Sequence, residues 1–206
     1  MAILDLFPTP VGIYELNRDV SDIEKETVLN FERRSNSGNL TSKPRNIVYD
    51  YPELNHLKSF FDESIQDYCN NALAINPNEV SVYITQSWAN YTDSGQYHHK
   101  HSHPNSYVSG VFYLQSSEED KIHFFNSNTT NHNMREIRVN TVSYNKYNSE
   151  SWWLEATQGR LYLFPSNFVH MVETVVAKQT RVSISFNTFL KGVVGSADSL
   201  TELILN

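Results

Sequence analysis

The chain reads as an α+β protein that is mainly β, with helices first and seven or eight antiparallel strands after them. Such a pattern closes into a β-sandwich or barrel with the helices packed outside. Three observations predict this. Helical spacing of apolar residues stops at Pro77. Beyond it, segment after segment alternates apolar and polar residues with period two. Turn residues separate those segments at hairpin-like intervals.

The lead-in DLFPTPVGIYEL is extended, because Pro8 and Pro10 forbid helix while Val11 and Ile13 alternate toward one face. Ser21 and Glu24 have the spacing of a capping box, which opens a helix running to about Arg34. SNSGNLTSKPRN is a loop. From Glu53 to about Ala74, Leu54, Leu57, Phe61, Ile65, Tyr68 and Leu73 fall near helical spacing until Pro77 and Asn78 end the element. In VSVYITQSWANY, the residues Val80, Val82, Ile84 and Trp88 are expected on one face. Strands follow at YVSGVFYL, KIHFF, REIRVNTVSY, SWWLEA, GRLYLF, FVHMVETVV and RVSISFNTFL. NSNTTNHNM is a polar, Asn-rich loop expected to be mobile, and the tail after Gly192 suits a helical turn. The 206 residues are expected to form a single domain: 1–78 as lead-in and helices, 79–190 as β core, 191–206 as tail.

Composition excludes several classes of function. Lys and Arg total 16 against 23 Asp and Glu, a net charge of −7, so a nucleic-acid partner held by bulk electrostatics is not expected. Cys69 is the only cysteine, which leaves no intramolecular disulfide and no cysteine-based zinc cluster. It suits a small buried hydrophobe. No apolar run reaches the length of a membrane span, and no secretory signal is visible, so a cytoplasmic protein without a membrane partner is expected.

Four of the eight histidines lie between positions 98 and 103. In an extended chain His99, His101 and His103 share one side and His98 takes the other. Pro104 biases His103 toward extended backbone. Imidazoles two residues apart can reach one metal ion, and three protein ligands that leave open positions suit catalysis. A third ligand has to come from a distant strand, and His170, just after a Pro-Ser turn, is the candidate. A solvated histidine-rich loop is the plainer alternative.

The segment RVSISFNTF alternates strictly. Arg181, Ser183, Ser185 and Asn187 share one face, while Val182, Ile184 and Phe186 share the other. A polar face turned toward a sandwich interior makes sense where the interior is a wet ligand cavity, with the apolar face against the helices. Arg181 with Ser183 offers a guanidinium fork and a hydroxyl, which suit a buried carboxylate.

Together, HKHSH, PSNFVH and RVSISFN resemble the 2-oxoglutarate- and iron-dependent oxygenases, in particular a group of small members related to prolyl hydroxylases. The group's pattern is matched by Trp88 and Asn90, Gly95, His101 to Ser106, Ser109 to Tyr113, Phe164 to Ser166, His170, and Arg181 to Asn187. The resemblance covers about Ile84 to Phe189, and LFPTP is similar too. It implies a double-stranded β-helix, or jelly roll, with the N-terminal helices on the outer face of the major sheet. It implies Fe(II) held by His101, His103 and His170, and 2-oxoglutarate held by Arg181 with Ser183. Tyr113 would assist, with Asn105 and Asn90 as lesser contacts. The implied reaction hydroxylates a C–H bond of a peptidyl residue, prolyl or other, or of a small metabolite, while 2-oxoglutarate is decarboxylated to succinate. One departure stands out: the superfamily's usual second ligand is Asp or Glu, and here it is His103. Three neutral imidazoles leave the metal one more positive charge, which the oxoglutarate dianion would cancel in full.

Two other readings stay open at this level. One is a cupin-like, three-histidine dioxygenase or isomerase that makes no use of 2-oxoglutarate. The other is a non-enzymatic jelly-roll binding module. A homodimer is left open as well.

Overall fold

The computed structural model describes residues 1–126 and 139–206. Its strands are β1 (Gly12–Glu15), β2 (Arg33–Ser35), β3 (Leu40–Ser42), β4 (Val80–Thr92), β5 (His98–His101), β6 (Val108–Gln115), β7 (Lys121–Phe125), β8 (Ser151–Glu155), β9 (Arg160–Pro165), β10 (His170–Val172), β11 (Arg181–Val194) and β12 (Leu203–Leu205). The helices are α1 (Asp22–Leu29), α2 (Ile47–Asp50) and α3 (Asn55–Asp67), all before β4. A large antiparallel sheet runs β1-β9-β6-β11-β4-β3-β2, with β12 paired to β11, and a smaller one runs β5-β10-β7-β8. This is the double-stranded β-helix architecture expected of the sequence. No helix among the described residues is long and apolar enough to cross a membrane.

Ser21 caps α1 as the spacing predicts. Its hydroxyl accepts from the Glu24 N–H, and the Glu24 carboxylate accepts from the Ser21 N–H. The helix is shorter than expected and ends at Leu29. The chain then pairs as the β2–β3 hairpin, closed around Gly38 at φ 92°, and β3 joins the edge of β4. Strand pairing on an existing sheet edge here outweighs local helical preference. The second predicted helix is a 3₁₀ turn at Pro52–Leu54, then α3, then a wide turn over Tyr68–Ala72.

Two apolar layers result. Val182, Ile184 and Phe186 of β11 meet Leu57, Phe61 and Ile65 of α3 on the outer face of the large sheet. Phe61 sits 5.4 Å from the Phe112 ring and 5.1 Å from the Phe186 ring, centroid to centroid. Gly110 lies against Phe186, where any Cβ would overlap the ring. Between the sheets a smaller cluster holds Val111, Tyr113, Ile122, Phe124, Tyr162 and Phe164. It occupies part of the space between the sheets, and a cavity occupies another part.

Several expectations need correction. Trp88 does not share a face with Val82 and Ile84. In the β4–β11 ladder Asn187 pairs with Gln86 and Thr188 with Ile84, so Thr85 is an extra residue. This bulge inverts the alternation and turns Trp88 and Asn90 toward the cavity. The long strand expected around His170 is only three residues, His170–Val172. The tail forms no helical turn: β11 continues to Val194, and β12 folds back on it. The loop NSNTTNHNM beyond Asn126 and the first part of REIRVNTVSY lie outside the described residues, and the described part, 139–144, is not a strand.

Candidate active site

His101 is the last residue of β5 and His170 the first of β10, and the two are directly paired in the small sheet. That pairing joins residues far apart in the chain. His103 follows two residues after β5, where its N–H donates to the Ser166 carbonyl at 2.8 Å. The three histidines present ligand nitrogens within 4.8 Å of one another.

Each ring is held by a bond on its far side. His101 Nδ1 meets the His99 carbonyl at 2.7 Å, and His170 Nδ1 meets the Phe168 carbonyl at 3.0 Å. A carbonyl only accepts, so each Nδ1 carries the proton and each Nε2 presents a lone pair. His103 Nδ1 donates to Asn187 Oδ1 at 2.6 Å, with Ser109 Oγ at 3.1 Å. Ser109, Ser166 and Ser106 continue as a hydroxyl chain beneath that ring, with steps of 2.8 and 2.7 Å. The Nε2 atoms of His101 and His103 stand 3.2 Å apart. Two lone pairs this close repel unless a cation lies between them, so the donor set fits a divalent metal held by neutral imidazoles. Burial favours the neutral form: His101 is pushed down to about 4 and His170 to about 3, and His103 is also lowered.

Across the cavity, of about 410 Å³, lies Arg181. It is only 3% exposed. One of its nitrogens, Nη2, donates to Thr92 Oγ1 at 3.0 Å. The other, Nη1, has no hydrogen-bond partner among the described residues and stands 3.6 Å from Asp120 Oδ1. The Tyr113 hydroxyl and Asn90 Oδ1 are likewise buried without a partner. The unsatisfied guanidinium nitrogen and phenol hydroxyl on one chamber wall are donors ready for an anionic ligand, and the Asn90 oxygen beside them awaits a donor. Ser183 and Ser185 line the same wall, and Ser185 accepts from Asn90 Nδ2 at 3.0 Å.

So the fold gathers His101, His103, His170, Arg181, Ser183, Tyr113 and Asn90 on one cavity. Asn105 does not join them. It is exposed on a turn at φ 56° and is absent from the cavity lining. His98 also departs from expectation, because it faces the cavity with the others. Between the pairs His170–His101 and Val172–His98, β5 has one residue more than β10. This irregularity puts His98 on the side of His101, ring stacked on ring at 4.6 Å. Burial, with His101 close by, pushes His98 down to about 2.

Sequence reasoning missed Thr92, Asp120 and the role of Asn187. Asn187 was legible as a member of the polar face of β11. Asp120 carried no signal, since it stands in an acidic turn beside Glu118 and Glu119.

The model of a family described as "Putative 2OG-Fe(II) oxygenase" matches residues 86–187. The chain belongs to the 2OG-Fe(II) oxygenases. The match begins and ends on cavity-lining residues, Gln86 and Asn187. Solved structures that resemble this 2OG-Fe(II) oxygenase include an oxidoreductase of the 2OG-Fe(II) oxygenase family from Burkholderia pseudomallei (10% identity, 86% of this chain and 83% of that one, TM-score 0.59). Another is HygX from Streptomyces hygroscopicus with nickel and 2-oxoglutarate bound (9% identity, 87% and 82%, TM-score 0.59). A third is a prolyl hydroxylase from Trichoplax adhaerens in complex with a hypoxia inducible factor oxygen degradation domain peptide fragment (18% identity, 87% and 83%, TM-score 0.57). At these identities the likeness carries the fold. No curated protein matches the chain. The cofactors of this 2OG-Fe(II) oxygenase are Fe(II) and 2-oxoglutarate.

Proposed function

We propose that His101, His103 and His170 hold the iron, and that Arg181 grips the far carboxylate of 2-oxoglutarate with Ser183, Tyr113 and Asn90 around it. The observation that carries this reading is the opposition of two features in one chamber. Three Nε2 lone pairs converge on one side, each fixed by a bond at Nδ1. A buried guanidinium with a free Nη1 and a buried phenol with a free hydroxyl stand on the other.

Iron with 2-oxoglutarate supplies dioxygen activation coupled to decarboxylation of the oxoacid to succinate. The protein's own tasks follow from its residues. The carbonyls of His99 and Phe168 and the amide oxygen of Asn187 fix the tautomer and orientation of the rings, while burial keeps them neutral. Arg181 neutralises a carboxylate that burial alone would not tolerate. Thr92 holds the guanidinium in place at Nη2 and leaves Nη1 to the ligand. Val111, Ile122 and Phe164 line the chamber and limit water there. With no carboxylate among the three histidines, the diacid itself balances the metal's charge.

The product is a hydroxylated carbon on a small molecule or a peptide residue. The peptide complex of the Trichoplax prolyl hydroxylase supports a peptide. A single buried cysteine, Cys69, whose thiol burial pushes up to about 11, supports a reducing cytoplasmic setting.

Anaerobic iron loading followed by a succinate assay tests the activity. The wild type is expected to bind one iron and to form succinate from 2-oxoglutarate, and His103→Ala is expected to lose the iron. Full iron stoichiometry in His103→Ala would remove His103 from the ligand set. Iron binding with no affinity for 2-oxoglutarate would favour the cupin-like reading.

A further inference from the structure

The charge around the cavity is opposite to that of the chain. The protein carries 23 acidic and 16 basic residues. Yet among the described residues no Asp or Glu lines the cavity, while Arg34, Arg45 and Arg181 do. Arg181 is accounted for by 2-oxoglutarate and faces Asp120. Arg34 and Arg45 are not accounted for. Both are exposed, and neither side chain has an ion-pair or hydrogen-bond partner among the described residues.

Their placement is built into the backbone. Arg34 lies in β2, where it pairs with Thr41 of β3, and Thr41 pairs in turn with the cavity residue Asn90. The Arg45 carbonyl accepts from the Ser87 N–H at 2.8 Å, one residue before Trp88. Both guanidinium groups therefore extend from segments sewn to β4, beside Gln86 and Trp88 on the cavity lining. The Trp88 ring lies 5.8 Å from the His103 ring, which links this wall to the histidine cluster.

A charge count makes the surplus explicit. Three neutral imidazoles, a divalent iron and the oxoglutarate dianion sum to zero. Arg181 and Asp120 also sum to zero. Arg34 and Arg45 then leave two positive charges at the cavity with no negative counterpart among the described residues. A cleft lined by one sign focuses its field on an incoming ligand, and a guanidinium fork matches a carboxylate.

We propose that Arg34 and Arg45 form the substrate subsite of this oxygenase, and that the hydroxylated molecule bears one or two carboxylates, on a small acid or an acidic peptide side chain. The proposal rests on the oxygenase reading above. It adds that substrate is chosen by its negative charge, with Trp88 as the flat wall along which its carbon skeleton lies.

The test uses the iron- and 2-oxoglutarate-loaded full chain under anaerobic conditions, with matched probes. One probe pair is N-acetyl-glutamate against the uncharged N-acetyl-glutaminamide. The other is a proline-containing peptide pool with Glu against the same pool with Gln. Binding is read by saturation-transfer NMR, and iron content and 2-oxoglutarate affinity are measured separately. The acidic members are expected to bind, and the amide members to bind at least tenfold more weakly. In Arg34→Gln/Arg45→Gln the preference is expected to vanish, at about fivefold for each exposed arginine, while iron content, 2-oxoglutarate affinity and melting temperature stay at wild-type values. Raised salt is expected to weaken the acidic probes alone. Equal binding of both members, binding of neither, or an undiminished preference in the double variant would overturn the proposal. Failure of the chain to take up iron or 2-oxoglutarate would instead strike the oxygenase reading.

Discussion

His101 and His170 face each other as register partners across the β5–β10 pair, with ring centroids 4.4 Å apart. One backbone ladder thus fixes the distance between two metal-ligand candidates that the chain separates by a whole β-hairpin and more. The third, His103, depends less on the ladder and more on side chains.

For that reason Asn187→Leu is expected to weaken metal binding without unfolding the protein. It removes the acceptor for His103 Nδ1 at 2.6 Å. Loss of such an outer partner costs about 10- to 100-fold in affinity. The effect here belongs at the lower end, because Ser109 Oγ at 3.1 Å can take the proton instead. A chelator competition titration measures it, and unchanged affinity would mean that Asn187 does not orient the ring.

Arg181→Met is expected to do two things. It abolishes saturable 2-oxoglutarate binding, and it strips Asp120, 5% exposed, of its cation. A buried charge left without its partner costs about 3 kcal/mol. The double variant Arg181→Met/Asp120→Asn is expected to recover most of that stability and none of the binding. Denaturant melts and calorimetric titration separate the two effects. A double variant no more stable than the single one would show that the pair is not coupled.

Gly110→Ala tests the packing beneath the site. The new methyl would collide with the buried Phe186 ring, which is wedged against Phe61. Overpacking of this kind costs about 2 kcal/mol. A lowered thermal midpoint is expected, and an unchanged one would mean that the helix layer yields freely.

The metal-free protein is expected to lose stability as pH falls below the ordinary histidine range. Burial holds His101 near 4 and His170 near 3 when folded, against 6.5 in model compounds. Between those values the unfolded chain takes up protons that the folded chain refuses, so stability rises with pH. The contribution is complete above about pH 6.5 and falls away toward pH 4 and 3. Urea midpoints between pH 5 and 6.5, above the ordinary carboxylate range, are expected to decline with acid. His170→Asn is expected to flatten that slope, and a flat wild-type profile would contradict the burial of these rings.

Much of the site could be read in the residues themselves. His101, His103, His170 and Arg181 were identifiable as candidates from the motifs HKHSH, PSNFVH and RVSISFN taken together, and the alternation in β11 placed the polar face correctly. Trp88 and His98 were misplaced for a single reason. Each lies beside an extra residue in a ladder, at Thr85 and within His98–His101, and period-two reasoning inverts at such a point. Helix α1 and the tail were misjudged because the short hairpins β2–β3 and β11–β12 took those segments into strands, anchored through β3 and β11 on β4.

Residue order alone determined the mainly β class, with helices before strands, and the two-faced character of the last long strand, since periodicity and side-chain chemistry are local properties. Tertiary structure alone decided which groups go unsatisfied and which charges are balanced. The free Nη1 of Arg181, its neighbour Asp120, the acceptor on Asn187 and the placement of Arg34 and Arg45 at the cavity all depend on how separate segments of the chain come together. Hydrogen bonding and charge balance are set by distance in space, and the chain's order does not contain that distance until it folds.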